Sequence, residues 1–488
     1  MAEDDERRCT TGIDGLDTVL HGGLVPGRTY MVTGRPGTGK TILGQHFLTS
    51  GPSESSSLFV NLEESESDVR ANAETLGFDL EGVEFLDMSP GSEAFTDGQQ
   101  YEIFAPSEVE GPDVVSAIDE RVRELDPDRV FIDPLTQLRN LSPDTYQFRK
   151  QINGLIQFFR QRGATVLFTS QATPESPDDD LQYVSDGTFE LTRTENGRAI
   201  SVPKFRGSGT EDGHHSVRIT DEGIQVYPVL HPEVHSQDFT SEVVSSGVPE
   251  VDQLLNGGVE RGTVTVLSGP TGVGKTTLGT QFMKEAAGRG ERSAIYMFEE
   301  NRATLLARCE SVNVPAKTMV ERGTLTIKDV TPLDKSPAEF AAMVREEVEQ
   351  RDARIVMIDG IDGYRLSLQG DEADLERELN SLGRYLKNMG VTVILVDCVD
   401  NVTGQFQPTK SKVSYLADNI VFLRYLEMNG RLRKAIGILK KRTSDFERTL
   451  REFEITQHGI TVGKPLTGLR GVLSGTPEFT DEGSADGR

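Results

Sequence analysis

The strongest constraint on the fold of this chain is that it states one pattern twice. Residues 11–34 read T-G-I-D-G-L-D-T-V-L-H-G-G-L-V-P-G-R-T-Y-M-V-T-G, and residues 246–269 read S-G-V-P-E-V-D-Q-L-L-N-G-G-V-E-R-G-T-V-T-V-L-S-G. They align without a gap at an offset of 246 − 11 = 235. Further matches keep the same order: F-V-N-L-E-E from Phe59 answers Y-M-F-E-E from Tyr296, and R-V-F-I-D-P from Arg129 answers R-I-V-M-I-D-G from Arg354. V-P-K-F-R-G-S from Val202 answers I-L-K-K-R-T-S from Ile438. Conserved order across so many segments is the mark of a duplicated domain. The 488 residues therefore divide into a first copy over 1–232, a linker over 233–243, a second copy over 244–471 and an acidic tail over 472–488. The tail, rich in Gly, Ser, Thr, Asp and Glu, is expected to be disordered.

Within each copy, short β-branched runs alternate with amphipathic stretches. R-T-Y-M-V-T, S-S-L-F-V-N-L, R-V-F-I-D and A-T-V-L-F-T-S read as strands, with helical spacing between them. Fully apolar short strands separated by helices predict an α/β fold, a mostly parallel sheet covered by helices on both faces. The later F-E-L-T-R-T-E-N-G-R-A-I-S and its counterpart around Asn429-Gly430 predict a terminal β-hairpin turned by N-G.

The chemistry is concentrated after the first strand of each copy. Gly34 to Thr41 (G-R-P-G-T-G-K-T) and Gly269 to Thr276 (G-P-T-G-V-G-K-T) both satisfy G-x-x-x-x-G-K-[ST] between a strand and a helix. Glycines let successive backbone N–H groups turn toward phosphate oxygens, and the helix N-terminus adds partial positive charge. The expected nucleotide contacts are Gly37, Thr38, Gly39, Lys40, Thr41 and Ile42, and Thr271, Gly272, Val273, Gly274, Lys275, Thr276 and Thr277. Lys40 and Lys275 neutralise the β/γ-phosphates, and Thr41 and Thr276 place a hydroxyl on Mg²⁺.

Asp133 and Asp359 end V-F-I-D and V-M-I-D. A carboxylate at the C-terminal end of a buried parallel strand stands where such sheets bind ligands, and there it can hold Mg²⁺. An Asp after a strand also serves as an ordinary helix cap; its recurrence after a P-loop favours the metal role. Glu63-Glu64 and Glu299-Glu300 follow strands too, and hydrolysis needs a group to polarise the attacking water. The alternative is a solvated pair opening the next helix. Lys204 and Arg206, like Lys440 and Arg442, are spaced i, i+2 and share a strand face. The pattern alone fits either a clamp on the γ-phosphate or an exposed, solubilising face.

Composition limits the partners. Asp and Glu number 78 against 51 Lys plus Arg, a formal net charge of −27, and only 15 of the basic residues are Lys. Such a surface suits a high-salt, halophile-like cytoplasm, where counterions screen self-repulsion. It argues against nucleic acid, which wants clustered Lys and Arg and stacking aromatics; the chain has no Trp. Cys9, Cys309 and Cys398 are far apart without C-x-x-C spacing, which argues against a disulfide framework or zinc site. M-A-E-D-D-E-R-R holds no apolar signal segment, and no run reaches the ~18 residues of a membrane span, so a cytoplasmic protein is expected.

With these residues assembled, the chain resembles the KaiC family of tandem RecA-like ATPases over nearly its whole length. The resemblance rests on both P-loops with their preceding G-x-x-x-x-D-x-x-L-x-G-G segments, both Glu pairs, both Asp-ended strands and both K-x-R strands. L-S-G-T-P at Leu473 adds to it. It implies homo-hexamers with ATP at subunit interfaces, so that Lys204, Arg206, Lys440 and Arg442 reach the neighbour's nucleotide. It further implies that Ser208, Thr220, Asp221 and Ser444 lie near nucleotide. The first Glu of each pair becomes the favoured water activator, with the second assisting. The circadian members phosphorylate an adjacent Ser-Thr pair in the second domain; here Ser414 matches the Ser, but Tyr415 replaces the Thr. That departure argues against a two-site cycle and leaves Ser414 as a single candidate phosphosite. Thr443 likewise replaces the Gly that follows K-x-R in the first copy. Timekeeping is therefore not carried over, and the resemblance extends to a regulator of signalling or transcription with an unidentified protein partner. The competing class is a RecA/RadA-like DNA-dependent ATPase of recombination or repair, which shares the core.

Overall fold

A computed structural model describes residues 8–90, 114–140, 142, 144–171, 177–194, 197–368, 370, 372–399, 412–428, 430–467, 469–470 and 478–479. The chain forms two units that divide between Val229 and Leu230. In the first, strands β1 (Thr29–Gly34), β2 (Ser57–Asn61), β3 (Val83–Asp87), β4 (Arg129–Asp133), β5 (Thr165–Ser170), β6 (Gly187–Thr194), β7 (Gly197–Phe205), β8 (His215–Thr220) and β9 (Gly223–Tyr227) make one sheet. Its order is β3-β2-β4-β5-β1-β6-β7-β8-β9, parallel from β3 through β6 and antiparallel beyond.

The second unit repeats this. After the small ribbon β10 (Val243–Val244) and β11 (Val259–Glu260) come β12 (Val264–Gly269), β13 (Arg292–Met297), β14 (Leu325–Asp329), β15 (Ala353–Asp359), β16 (Thr392–Cys398), β17 (Asn419–Met428), β18 (Arg431–Lys441), β19 (Arg451–Thr456) and β20 (Gly459–Pro465). Their order is β14-β13-β15-β16-β12-β17-β18-β19-β20. Register agrees too: Asn61 pairs with Asp133 as Met297 pairs with Asp359.

Apolar side chains of each sheet face two ways and are covered on both. In the first unit Phe47, Phe59 and Phe131 belong to the core on one face, and Ile118, Phe148 and Ile152 to that on the other. This explains why the central strands read as unbroken apolar runs. The repeated segment before each P-loop is structural. The Asp17 carboxylate accepts bonds from Thr10 Oγ1, Thr11 N and Thr11 Oγ1 at 2.5–2.8 Å. Asp252 does the same with Ser245 Oγ, Ser246 N and Ser246 Oγ at 2.5–2.7 Å.

The fold carries more antiparallel sheet than expected. Besides β6–β7, whose turn residues 195–196 lie outside the described residues, β8 and β9 form a second hairpin, mirrored by β19 and β20. The segment after Leu230 packs on the second unit. Asn388 Nδ2 donates to the Pro232 carbonyl at 2.8 Å, and the His235 ring meets Tyr385 edge-on at 5.3 Å. Of the acidic tail, Glu478 and Phe479 are described, paired with Leu469–Arg470; the rest of 472–488 lies outside the described residues.

Candidate active sites

In both units the chain leaves the central strand, turns through the glycine loop and enters a helix, Lys40–Thr49 or Lys275–Gly288. Gly39 and Gly274 immediately precede those helices at φ +108° and +117°, a region that side chains disfavour. A Cβ on Gly274 would also lie 2.4 Å from Ile455 Cδ1. These loops therefore need glycine for their conformation, and at Gly274 an added Cβ would also have to displace the end of the Ile455 side chain.

Lys40 folds back over its loop, Nζ donating to the Gly34 carbonyl at 2.8 Å and to Arg35 at 3.3 Å. Lys275 does the same to Gly269 at 2.7 Å and Pro270 at 2.9 Å. Burial pushes both ammonium pKa values below the usual range, so each cation favours an anionic partner. Thr41 Oγ1 donates to Asp133 Oδ2 at 2.5 Å, and Thr276 Oγ1 donates to Asp359 Oδ1 at 3.0 Å. The Thr hydroxyl and Asp carboxylate read as metal-holding from sequence are thus adjacent in both copies. Burial raises the Asp133 pKa despite bonds from Thr169 and Thr41, and raises that of Asp359 to about 6. A buried carboxylate beside a hydroxyl is an all-oxygen donor set that fits Mg²⁺, whose charge would offset the desolvation.

Around the first loop a cavity of about 350 Å³ is lined by Gly37, Gly39, Lys40, Thr41, Ile42, Glu63, Glu64 and Asp133, bringing the two motifs and the Glu pair together. Gln171 Nε2 donates to Glu63 Oε2 at 2.9 Å. Burial raises the Glu64 pKa, helped by Asp133 and Glu63. Thr38 is buried, with its hydroxyl on the Arg35 carbonyl at 2.9 Å. In the second copy Glu299 lies against the backbone beyond the metal-site Asp: a Cβ on Gly360 would come within 2.8 Å of its carboxyl carbon. Glu300 is paired with Arg308. Thr271 Oγ1 lies 3.1 Å from Cys398 Sγ, Val273 and Thr277 are buried, and the Gly272 carbonyl accepts from Lys434 Nζ at 3.2 Å.

Sequence reasoning overlooked Asn61, Gln171 and Ile219, which complete the first cavity. Asn61 ends β2 and Gln171 follows β5. The rule that such sheets bind ligands at the C-terminal ends of their strands applies to them as it does to Asp133.

The K-x-R residues have their partners outside the phosphate loops. Lys204 Nζ donates to the carbonyls of Gln182 and Ser185, both at 2.6 Å, just where helix Asp179–Val184 ends. Lys440 Nζ donates to Ala417 at 2.6 Å and Ser414 at 3.1 Å. Arg206 Nη1 stands 3.8 Å from Asp186 and Arg442 Nη1 3.3 Å from Asp418, both arginines half exposed. Ser208 Oγ donates to Gly209, and Ser444 Oγ reaches Glu260 at 3.4 Å. Thr220 and Asp221 belong to the β8–β9 turn, where Thr220 Oγ1 accepts from the Glu222 N–H at 3.2 Å. The neighbouring Ile219, rather than these two, lines the cavity. No helix among the described residues is long and apolar enough to cross a membrane.

Comparison with known proteins agrees with this architecture. The family model described as ATPase: KaiC matches residues 9–231 and 244–467, one match per unit. The chain is 27% identical to the circadian clock oscillator protein KaiC of Acaryochloris marina, covering 96% of this chain and 90% of that one. It is 27% identical to the circadian clock protein KaiC3 of a Synechocystis strain, over 99% and 97%. With KaiC of Synechococcus elongatus the identity is 28%, over 96% and 91%. Two P-loop folds, each matched over most of its unit, lead to one conclusion: the chain belongs to the KaiC family of P-loop ATPases.

Proposed function

We propose that this ATPase binds ATP with Mg²⁺ at both P-loops and hydrolyses it at subunit interfaces of a homo-hexamer. Its output is conformation, read by a protein partner in signalling or transcription. The observation that carries the ATP–Mg²⁺ reading is the pairing of Thr41 with Asp133 and of Thr276 with Asp359 beside a loop-bound lysine. Lys40 and Lys275 take the β/γ-phosphates, and the Thr–Asp pairs hold the metal, which supplies charge neutralisation when bound. Glu63 and Glu299 polarise the attacking water.

Assembly is supported by the K-x-R strands. Their arginines are half exposed, and each pairs with an aspartate outside the loop of its own copy, as groups serving a neighbouring subunit would be. Ser414, on the turn Lys412–Tyr415 whose carbonyl Lys440 holds, is proposed as the phosphate acceptor of a serine autokinase activity. The test is light scattering at molar salt with and without ATP–Mg²⁺. Six times the 53.6 kDa chain mass is expected with nucleotide, and an Arg206→Ala/Arg442→Ala double variant should lose turnover more than binding. A stable monomer with ATP–Mg²⁺ bound overturns the interface reading. No binding at either site overturns the whole.

A further inference from the structure

The two copies differ at the residue facing the second glutamate of each pair. Eight residues beyond Glu64, on helix Glu66–Thr75, stands Asn72; eight beyond Glu300, on helix Arg302–Ser311, stands Arg308. Arg308 holds Glu300 by an ion pair, with Nη2 2.7 Å from Oε2, and by one hydrogen bond, from Nη1 to Oε1 at 3.2 Å. An ion pair joined by a charge-assisted hydrogen bond restrains a carboxylate's orientation as well as its charge. Glu64 accepts from the neutral amide of Asn72, and among the described residues no Lys or Arg forms an ion pair with it. Glu299, meanwhile, lies over Gly360, directly after the metal-site aspartate.

We propose that Arg308 is a positioning residue of the second site. It commits Glu300 to an ion pair and leaves Glu299 as the carboxylate that serves the attacking water, whereas the first site draws on both Glu63 and Glu64. The inference rests on the ATPase reading above. In the step concerned, water oxygen bonds to the γ-phosphorus while the bond from that phosphorus to the β-bridging oxygen breaks. The water proton passes to the carboxylate and then to solvent or phosphate, and ADP and phosphate leave. The two sites perform this one reaction with unequal carboxylate requirements, as suits a tandem enzyme whose halves have separate tasks.

The test uses the full chain with one site silenced at a time, Lys40→Ala to isolate the second and Lys275→Ala the first, with bound ATP quantified on the same samples. In the first site Glu64→Gln is expected to lower kcat about tenfold or more, and in the second Glu300→Gln about threefold, with KM little changed in both. Adding Arg308→Asn should raise the cost of Glu300→Gln to about tenfold, and Arg308→Lys, which keeps the charge, should restore most of the protection. Asn72→Arg should cut the cost of Glu64→Gln to about threefold in the first site, which covers the case of an Arg308 variant that folds poorly. If Glu300→Gln costs as much as Glu64→Gln with Arg308 present, or Arg308→Asn leaves its cost unchanged, the inference is wrong while the ATPase reading stands. Absence of bound ATP in the parent samples overturns both.

Discussion

Asp359 shows at a single residue how function and stability oppose each other in these sites. It is buried at the end of β15 with one hydroxyl donor among the described residues, Thr276. Its counterpart Asp133 has two, Thr41 and Thr169; Val396 occupies the place of Thr169, as the matching registers of Thr169 with Val32 and Val396 with Leu267 show. Desolvation lifts the Asp359 pKa from 3.8 to about 6. A raised carboxyl pKa means the folded chain holds a proton that the unfolded chain has released. Its favourable contribution is therefore complete below about 3.8 and lost as pH rises through about 6. Above that pH the ionised, metal-free side chain costs up to about 3 kcal/mol. Asp359→Asn should then stabilise the nucleotide-free, Mg²⁺-free protein at pH 7.5 by roughly 1–3 kcal/mol, with the gain vanishing near pH 4. Chemical unfolding at the two pH values measures this, and turnover at the second site should be lost in the same variant. A destabilised variant at pH 7.5 would show that the carboxylate is better satisfied than its surroundings indicate.

Helix-on-sheet packing sets the position of each phosphate loop, and the two copies pack differently. A Cβ on Gly44, in helix Lys40–Thr49, would fall 2.1–2.3 Å from three atoms of the Phe131 ring, so the helix backbone rests directly on that ring. Phe131 is itself confined by Phe59, with ring centroids 5.0 Å apart. At the equivalent Gly279 the nearest atom is the sulfur of Met357, at 2.4 Å, on a flexible side chain. Gly44→Ala is expected to destabilise its helix by roughly 1–3 kcal/mol and Gly279→Ala by less than about 1 kcal/mol. Hydrogen exchange of residues 40–49 and 275–288 in the full chain distinguishes the two, and equal protection losses would contradict the packing argument. Elements of this kind were legible in proportion to their periodicity. The unbroken apolar runs of β1, β2, β4 and β5 announce parallel strands, and the strand–loop–helix order places both phosphate loops. The β8–β9 hairpin is hidden in the sequence because Thr220-Asp221 fits a nucleotide contact as readily as a turn. The segment after Leu230 escaped because so short a stretch carries no pattern naming the surface it covers. Arg308 escaped because it joins Glu300 across a helix turn and a loop, a distance no motif spans.

For the molecule as a whole, duplication was fully legible, since gapless repetition survives whatever local propensities do. Charge was equally legible, and its consequence is a folding property. A formal −27 spread over two units, with 78 acidic against 51 basic side chains, leaves an acidic excess that ion pairs cannot neutralise. Many acidic groups are paired, as Asp445 is with Arg448, but exposed pairs of this sort contribute little, and salt screens them together with the repulsion. Repulsion among the unpaired remainder acts over a Debye length of about 10 Å at 0.1 M salt and about 3 Å at 1 M. Raising KCl should therefore relieve more repulsion than it removes attraction. The Tm of the nucleotide-free chain is expected to climb by several degrees between about 0.1 and 2 M KCl, at roughly 2–4 °C per kcal/mol of repulsion screened. Most of the rise should come below about 1 M, where the screening length changes fastest. An uncharged osmolyte at matched osmolality separates screening from surface exclusion, because only an ion acts on the charges. A Tm that stays flat in KCl, or follows the osmolyte, would mean that the acidic surface sits too far apart to oppose folding, and the high-salt reading of the composition would fall with it.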